Sequence, residues 1–238
     1  MISVVIPVLN ERDNIESLIP EIYSVLDGLD FEVVVVDGDS SDGTPETVRK
    51  LQVDYGKLRY MRQSGRGYAN ALVDGMRAAA GEYVVTMDAE NHDPAGIKPM
   101  LSKISEGFDV VISSRYVKGS RVDLQKHRLL ISMTANVLSR MMMGLRAKDT
   151  SSGFRAYRGK VLKTAVESDT RTNYFSVQVE VLDRISQAGG RITELPMHYR
   201  HRDKGESKFG LVPAIRDTFN LLAISSGRLR QKLCRSLQ

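Results

Sequence analysis

The chain of 238 residues carries a formal net charge of +5, with 42% hydrophobic and 26% charged residues, which is the composition of an ordinary globular protein. Its length suits one large α/β domain, and its composition excludes a low-complexity or largely disordered chain. The single cysteine, Cys234, excludes an internal disulfide framework and gives no support to a zinc site.

The charge is unevenly distributed along the chain. Residues 1–54 carry 3 Lys/Arg against 12 Asp/Glu, a balance of −9, whereas residues 198–238 carry 9 against 3, a balance of +6. A basic carboxyl-terminal segment indicates an anionic partner. No nucleic-acid-binding motif accompanies it, so we expect a phosphate-bearing substrate or an anionic lipid surface, and no nucleic acid.

The apolar segments are too interrupted to predict a membrane span. Residues 129–145 contain Arg140, and residues 211–226 contain Arg216 and Asp217, so neither offers ~20 consecutive apolar residues. Residues 1–7 lack a basic leader, and we predict that they belong to the first strand and not to a signal peptide.

The first part of the chain alternates apolar runs of strand length with helical patterns. Residues 3–8 and 31–36 predict the first two strands, the second of them buried on both faces. Apolar residues at helical spacing between them predict a helix capped by Asp13 or Asn14. Thr44-Pro45 predicts the start of a second helix.

The second strand ends in an acidic, glycine-containing loop, residues 37–44. Its Asp side chains can accept hydrogen bonds from a base or ribose, so the loop is a candidate nucleoside site; a plain tight turn explains the same residues equally well. The third strand, residues 58–62, precedes Gly65-Arg66-Gly67 at the start of a helix. Asn70 stands where a dinucleotide-binding fingerprint needs a third Gly or Ala, which argues against that function.

The fourth strand ends in a cluster of carboxylates that includes Asp88 and Glu90. Ligands of open α/β sheets lie outside the carboxyl ends of the strands. Two carboxylates at i and i+2 can hold one hard divalent cation, which takes its other ligands from phosphates and water. Capping of the next turn by Asp88 or Asp93 is the alternative interpretation. The βαβαβαβ succession predicts a mostly parallel sheet with right-handed crossovers.

The order of these motifs resembles the nucleotide-sugar half of family 2 inverting glycosyltransferases of the GT-A fold. Motifs in the second half of the chain are similar to the polyprenyl-phosphate (dolichyl-phosphate) mannose synthase branch. The motifs that carry the resemblance are Val5-Ile6-Pro7, Asn10-Glu11, residues 36–44, Met87-Asp88-Ala89-Glu90, Ser114-Arg115-Tyr116, and residues 126–132, 149–155, 178–180 and 202–208. The resemblance covers about residues 2–210.

The resemblance implies a single GT-A-like α/β domain, with a mostly parallel sheet flanked by helices, over residues 1–210. Its nucleotide-sugar half would span about 1–115 and its acceptor half about 116–210, followed by an amphipathic, basic tail at 211–238. The implied activity is inverting transfer of a sugar, with mannose from GDP-mannose as first choice, to a polyprenyl phosphate on the cytoplasmic face of a membrane. Mg²⁺ or Mn²⁺ would be the cofactor, and a membrane-anchoring partner subunit fits as well.

Two other functions fit the same residues. One is transfer of glucose or N-acetylglucosamine from a UDP-sugar to such a lipid or to a soluble acceptor. The other is a non-catalytic nucleotide-sugar-binding subunit, against which the intact Asp88, Arg202 and Lys208 argue.

The resemblance also implies roles for individual residues. Glu90 stands where members of the family usually carry a second Asp, and His92 stands where many carry Gln. The nucleotide-sugar-binding residues would be Pro7, Asn10, Glu11, Asp37, Asp39, Arg66, Asp88, Ala89 and Arg115. The metal ligands would be Asp88, Glu90 and His92. The acceptor and phosphate site would comprise Arg128, Ser152, Arg202 and Lys208, with Asp88, Arg202 and Lys208 as the catalytic residues.

Two amphipathic segments complete the sequence analysis. Residues 129–145 place Leu130, Met133, Val137, Met141 and Met142 at helical spacing. This pattern predicts an amphipathic helix that packs in the core, with contact to a membrane as the less favoured interpretation. Residues 211–226 carry an apolar stripe followed by basic residues, which is typical of an interfacial helix and equally of a helix docked on its own domain.

Overall fold

The computed structural model describes residues 1–90, 93–122, 126–170 and 176–198, with the backbone alone at 126–131 and 135. Within these ranges seven strands form one sheet in the order β3-β2-β1-β4-β6-β5-β7. The strands are β1 (Ile2–Val8), β2 (Phe31–Asp37), β3 (Leu58–Arg62), β4 (Tyr83–Thr86), β5 (Val110–Ser114), β6 (Arg155–Arg158) and β7 (Ile192–Pro196).

Helices connect the strands and cover both faces of the sheet. They are α1 (Arg12–Val25), α2 (Thr44–Asp54), α3 (Tyr68–Ala78), α4 (Ile97–Ser105), α5 (Lys126–Met143), α6 (Gly159–Val166) and α7 (Val177–Gln187), with a short 3₁₀ helix at Pro94–Gly96. All strand pairs are parallel except those of β6 with β4 and with β5. The predicted mostly parallel α/β sheet is therefore confirmed.

Alternating residues of the central strands build two apolar cores. Every residue of β1 and β2 is buried, as expected for parallel strands covered on both faces. Val5 and Val34 pack into the core that contains residues of α3, α6 and α7. Val4 and Val33 pack into the core that contains residues of α1, α2 and α4. The period of two along each strand therefore divides the apolar side chains between the faces.

The antiparallel strand β6 determines what lies beside the end of β4. Arg155, the first residue of β6, pairs with Thr86, the last residue of β4, and also with Ile112 of β5. The segment that precedes β6, residues 149–154, therefore reaches the carboxyl edge of the parallel strands. Gly153, two residues before β6, therefore lies next to the carboxylate of Asp88, which follows β4.

Two local predictions were wrong. Helix α1 begins at Arg12, and its N-cap residue is Glu11, so neither Asp13 nor Asn14 caps it. The Glu11 amide donates to Thr44 Oγ1 (3.0 Å) and the Arg12 amide donates to Asp42 Oδ2 (3.1 Å). The amide of Arg12, the first residue of the helix, is thus satisfied by Asp42 in the loop before α2, which lies far away in the sequence.

The second error concerns α5, which forms as predicted but turns most of the described residues of its apolar stripe away from the core. Met133, Val137 and Met141 are 45%, 50% and 78% exposed, whereas Asn136 and Ser139 are buried. Three residues of the stripe expected in the core therefore lie at the surface. Met142 does pack, partly buried, against the core, and the side chain of Leu130 lies outside the described residues. No helix in the described ranges is both long enough and apolar enough to cross a membrane.

Candidate active site

The acidic residues predicted from the sequence meet at the carboxyl edge of the sheet. Val8, the last residue of β1, pairs with Asp37, the last residue of β2, and Val5 pairs with Thr86 at the end of β4. Pro7 is buried between these strands. Asp37 therefore ends β2 and Asp88 follows β4, the two strands that flank β1, at the edge where a ligand of an open α/β sheet is expected.

Asp37 is held from two sides. Its carboxylate accepts hydrogen bonds from the Ser40 amide (3.2 Å to Oδ1) and from the Tyr60 hydroxyl (3.1 Å to Oδ2). The side chain has no exposed surface. Burial and the adjacent negative charge raise the pKa of Tyr60, so its hydroxyl keeps the proton that it donates. The orientation of the Asp37 carboxylate is therefore fixed by the protein itself.

Asn10 lies against the loop that follows β2. Its backbone has φ +54°, a left-handed conformation that Asn tolerates better than most residues. Its amide donates to Ser40 Oγ (2.8 Å), and its Oδ1 accepts from the Ser41 amide (2.8 Å). Together with the Glu11–Thr44 contact, these bonds join the two loops predicted to bind the nucleoside.

Two other predicted nucleotide-sugar residues are exposed. Asp39 has φ +79° and forms an ion pair with Arg62. The Arg66 carbonyl accepts a hydrogen bond from Asn70 Nδ2 (2.6 Å), at the start of α3. Their contribution to nucleotide binding stays a prediction.

Asp88 follows β4 by two residues and is half-buried. Its Oδ1 accepts a hydrogen bond from the Tyr68 hydroxyl (2.9 Å), whose oxygen accepts one from Gln178 Nε2 (3.2 Å). Burial and the Asp88 carboxylate raise the pKa of Tyr68 well above its ordinary value. The phenol therefore acts as a neutral donor to the carboxylate.

Gly153 lies against the other oxygen of the same carboxylate. A Cβ atom at Gly153 would stand 2.6 Å from Asp88 Oδ2, closer than van der Waals contact allows. The Gly153 carbonyl accepts a hydrogen bond from Thr86 Oγ1 (2.8 Å), which fixes the approach of this segment to the end of β4. Only a residue without a side chain fits here beside Asp88.

The remaining residues of the acidic cluster lie close by. Ala89 is buried and Glu90 is half-buried. Asp93 accepts a hydrogen bond from the Ala95 amide (3.0 Å), so this acid does cap the 3₁₀ helix. His92, the third predicted metal ligand, lies outside the described residues.

Arg115, predicted to bind the nucleotide sugar, forms a bidentate ion pair with Asp149. Arg115 Nε and Nη2 lie 2.8 and 2.7 Å from the two carboxylate oxygens, and the Arg115 amide donates to the same group at 3.0 Å. Burial alone would raise the pKa of Asp149, but the guanidinium beside it holds the pKa below its ordinary value. Arg115 also donates to Ser132 Oγ (3.2 Å) on α5 and to Ser151 Oγ (2.7 Å).

Helix α5 joins this network through Asn136. Asn136 Oδ1 accepts from the Thr150 amide (2.8 Å) and hydroxyl (2.9 Å), while its Nδ2 donates to Ser151 Oγ (3.1 Å). Ser152, a predicted acceptor residue, is buried, and its amide donates to Asp149 Oδ1 (3.0 Å). The inward face of α5 is therefore polar because it holds the segment 149–152.

Arg155 is a fully buried cation that spans the segment. Its guanidinium donates to the carbonyls of Gln178 (2.7 Å) and Thr150 (2.6 Å), and no described carboxylate forms an ion pair with it. The side chain of Arg128, and Arg202 and Lys208 as a whole, lie outside what the structure describes. Their phosphate-binding and catalytic roles stay predictions.

Residues that sequence reasoning gave no role are central to this geometry. They are Tyr68, Asp149, Gly153 and Gln178. Asp149, Gly153 and Gln178 belong to motifs that carry the family resemblance. The sequence therefore identified the motifs but not the contacts that these side chains make. Tyr68 could have been noticed as the residue that opens α3 directly after Gly67, at the same edge as Asp88.

Comparison with solved structures shows the class of fold. The chain superimposes on glucosyl-3-phosphoglycerate synthase from Mycobacterium tuberculosis, in a complex with Mn²⁺, UDP-glucose and phosphoglyceric acid, with a TM-score of 0.70 and 23% identity. The match covers 95% of this chain and 80% of that chain. A complex of that enzyme with UDP gives a TM-score of 0.69, also at 23% identity. The fold is thus GT-A-like, as predicted.

Sequence comparison then shows the family. Residues 3–165 match the model described as Glycosyl transferase family 2, and the chain belongs to this family. It is 36% identical over 211 residues to a dolichol-phosphate mannosyltransferase of Pyrococcus furiosus, covering 87% of this chain and 58% of the relative. It is 30% identical over 213 residues to a polyprenol monophosphomannose synthase of Mycolicibacterium smegmatis, covering 86% and 79%. The chain therefore spans less than two thirds of the length of the Pyrococcus relative.

Proposed function

We propose that this protein transfers a sugar from a nucleoside diphosphate to a polyprenyl phosphate with inversion, with mannose from GDP-mannose as first choice. The observation that carries the proposal is the 36% identity with a dolichol-phosphate mannosyltransferase over 87% of the chain. The geometry at the sheet edge supports it, because Asp37 and Asp88 are held at the carboxyl ends of β2 and β4, the two strands that flank β1.

The donor nucleoside would bind beside Asp37, between the loops of Asn10 and of residues 38–44. A base that leaves a buried donor or acceptor of this pocket unpaired costs about 1–3 kcal/mol, so a polar pocket discriminates between bases. GDP and UDP should therefore differ in affinity. Pro7 and Glu11 would line the same pocket.

The residues after β4 fit a divalent cation. Asp88 and Glu90 supply hard oxygen ligands, and both are half-buried at an edge that a diphosphate can reach. Among the described residues no group of three or more His, Cys, Asp or Glu stands close enough to form a complete metal site. Two acids completed by phosphate, water and the predicted ligand His92 are the arrangement that suits Mg²⁺ or Mn²⁺. When bound, such a cation stabilises the charge that develops on the leaving diphosphate.

The acceptor needs no general base from the protein. A lipid phosphate, with a second pKa of about 6, is anionic at neutral pH, so positioning and exclusion of water are sufficient. Arg202 and Lys208 would bind the acceptor phosphate and offset its repulsion from the donor diphosphate. Arg128 and Ser152 would complete this acceptor site.

The exposed face of α5 supports a membrane location. Met133, Val137, Leu138 and Met141 form an apolar strip on the outside of a helix whose inner face is polar. Such a strip fits the interface of a membrane that carries the lipid acceptor. We place the protein peripherally on the cytoplasmic face of a membrane, where an anchoring partner subunit can also bind it.

The test is a transfer assay with purified protein, Mg²⁺ or Mn²⁺, a panel of GDP- and UDP-sugars and a short polyprenyl phosphate, read by mass spectrometry. We expect lipid-linked mannose from GDP-mannose. Asp88→Asn should lower the rate by roughly 10²- to 10³-fold, as removal of a group that stabilises transition-state charge does. Glu90→Asp should retain substantial activity, because it keeps the carboxylate and restores the acid usual in the family.

The control for the assay is Asp93→Asn, which removes a negative charge three residues beyond Glu90 but keeps a side-chain oxygen that can accept from the Ala95 amide. Product from a UDP-sugar would replace the proposed donor. Absence of transfer with every donor, while nucleotide sugars still bind, would favour a non-catalytic binding subunit and overturn the proposal.

A further inference from the structure

A hydrogen-bonded chain connects Asp88 to the far half of the domain. Gln178 Nε2 donates to the Tyr68 hydroxyl oxygen (3.2 Å), and that hydroxyl donates to Asp88 Oδ1 (2.9 Å). Gln178 lies on α7, 110 residues away from Tyr68 in the sequence. The chain therefore exists only when the two halves are packed together.

The chemistry of the three groups fixes the direction of both bonds. An ionised carboxylate has no proton to give, so the single phenol proton must point to Asp88. The phenol oxygen can then only accept, which requires the amide nitrogen of Gln178 on its other side. Each group thus has one arrangement that satisfies its neighbour, and the Asp88 carboxylate receives a directed donor.

The burial of Gln178 indicates that this bond has a purpose beyond filling space. Its side chain is completely buried, and its Oε1 has no hydrogen-bond partner in the described part of the chain. A buried amide oxygen without a partner costs about 1–3 kcal/mol, which a methionine of similar shape would avoid. The Gln178 amide therefore lowers stability through its unpaired oxygen, while its nitrogen donates to the phenol that is bonded to Asp88.

The opposite side of the carboxylate is also fixed. Gly153 stands so close to Asp88 Oδ2 that a larger residue would displace the carboxylate or the segment. Rotation of the Asp88 side chain is therefore restricted by the phenol at one oxygen and by backbone at the other. A metal-binding carboxylate needs such support, because hydrogen bonds to a ligand set its orientation and basicity.

We propose that Tyr68 and Gln178 are positioning residues that hold Asp88 in its cation-binding orientation. This inference rests on the proposed function, in which Asp88 is a metal ligand. In this role Tyr68 acts through Asp88, and Gln178 acts through Tyr68. The acceptor half, through α7, thereby determines how well the donor half binds its metal.

The experiment measures Mn²⁺ affinity in the presence of GDP, by electron paramagnetic resonance of free Mn²⁺, for the full chain. Tyr68→Phe removes the hydroxyl and keeps the ring, and we expect about 10-fold or weaker Mn²⁺ binding, within the 10- to 100-fold range for such supporting groups. Transfer by Tyr68→Phe should recover when Mn²⁺ is raised, whereas a damaged fold would not recover.

The matched control is Tyr157→Phe. Tyr157 is a fully buried tyrosine of β6 whose hydroxyl has no hydrogen-bond partner among the described residues, so its loss should leave Mn²⁺ affinity unchanged. Gln178→Met should weaken Mn²⁺ binding less than Tyr68→Phe. The double variant Tyr68→Phe/Gln178→Met should bind Mn²⁺ as Tyr68→Phe does, because Gln178 acts through the hydroxyl already removed.

The outcomes separate this inference from the proposed function. If the unchanged protein binds Mn²⁺ and Asp88→Asn abolishes binding, but Tyr68→Phe binds as tightly as the unchanged protein, the positioning role is refuted and the proposed metal site survives. If Asp88→Asn leaves Mn²⁺ binding intact, the metal site itself is refuted, and the inference falls with it. Additive losses in the double variant would refute the path through Tyr68.

Discussion

Helices α1 and α5 lie in the same domain but turn opposite kinds of side chain towards it. Helix α1 buries Ile15, Ile19 and Ile22 against the sheet, whereas α5 buries Asn136 and Ser139. Met133, Val137 and Met141 of α5 face outwards, and Met143, at the end of the helix, is buried in the core. The first half of the domain is thus held mainly by apolar burial, and the second half depends in addition on a buried polar network.

The centre of that network is the Arg115–Asp149 ion pair, with hydrogen bonds to α5 on one side and to the segment 150–152 on the other. A buried charge needs a partner, so loss of either member leaves an uncompensated charge. An apolar core, by contrast, loses stability in proportion to the volume removed. The two halves should therefore respond differently to substitutions that preserve shape.

The largest effect is expected from Asp149→Asn, which keeps the shape of the side chain and removes its charge. We expect the free energy of unfolding to fall by about 3–5 kcal/mol, because Arg115 is left without its counter-charge. Denaturant titration followed by circular dichroism measures this loss. The control is Glu106→Gln, which breaks the exposed Lys103–Glu106 pair and should cost at most about 1 kcal/mol. Equal losses in both variants would contradict the proposed difference between the halves.

The stability lost in Asp149→Asn should depend on pH. The pKa of Asp149 is lower in the folded protein than in the unfolded chain, so its contribution is present above the unfolded value, about 3.9, and is lost as pH falls through the folded value. The stability difference between the unchanged protein and Asp149→Asn should be constant near neutral pH and shrink below about pH 4. A difference that grew on acidification would contradict this linkage.

Gly153→Ala should have an intermediate effect at the junction of the two halves. The added methyl group would stand 2.6 Å from Asp88 Oδ2, so the carboxylate or the segment must move. We expect a loss of about 1–3 kcal/mol in unfolding free energy from the overpacking and weaker Mn²⁺ binding. Denaturant titration and Mn²⁺ titration report the two effects. Gly56→Ala, at an exposed glycine with open space around it, is the control.

The smallest change in stability is expected on the outer face of α5. Met133→Ser and Met141→Ser remove exposed methionines, so the unfolding free energy should change by no more than about 0.5 kcal/mol. Sedimentation with anionic phospholipid vesicles should nevertheless show weaker binding of both variants. Val53→Ser, at an 84% exposed apolar residue of α2, should bind vesicles as the unchanged protein does. Unchanged binding of all three variants would exclude α5 from the membrane contact.

The sequence predicted the first half of the domain more completely than the second half. Strands β1 and β2 begin and end within one residue of the predicted bounds, because continuous apolar runs define these strands locally. Helix α2 begins at the predicted Thr44, because the proline that follows it marks the start of the helix. The spacing on α5 correctly predicted a helix but not its orientation. Periodicity identifies an apolar face, and it does not identify what that face contacts.

The candidate site was partly predictable for a related reason. Asp37 and Asp88 were found because each follows its own strand, and strand ends share one edge. Gly153 and Gln178 could not be given a role, because their positions depend on the antiparallel strand β6 and on α7. Strand β6 has only four residues, with arginine at both ends, and no pattern in it predicts a strand between β4 and β5.

The antiparallel insertion of β6 has a consequence for synthesis of the protein. A ribosome completes β1 to β4, with Asp37 and Asp88, well before it adds Gly153 and Gln178. During that interval the nascent chain carries the acids without the glycine and the amide that restrain them. The contacts of Gly153 with Asp88 and of Gln178 with Tyr68 can form only after α7 has left the exit tunnel.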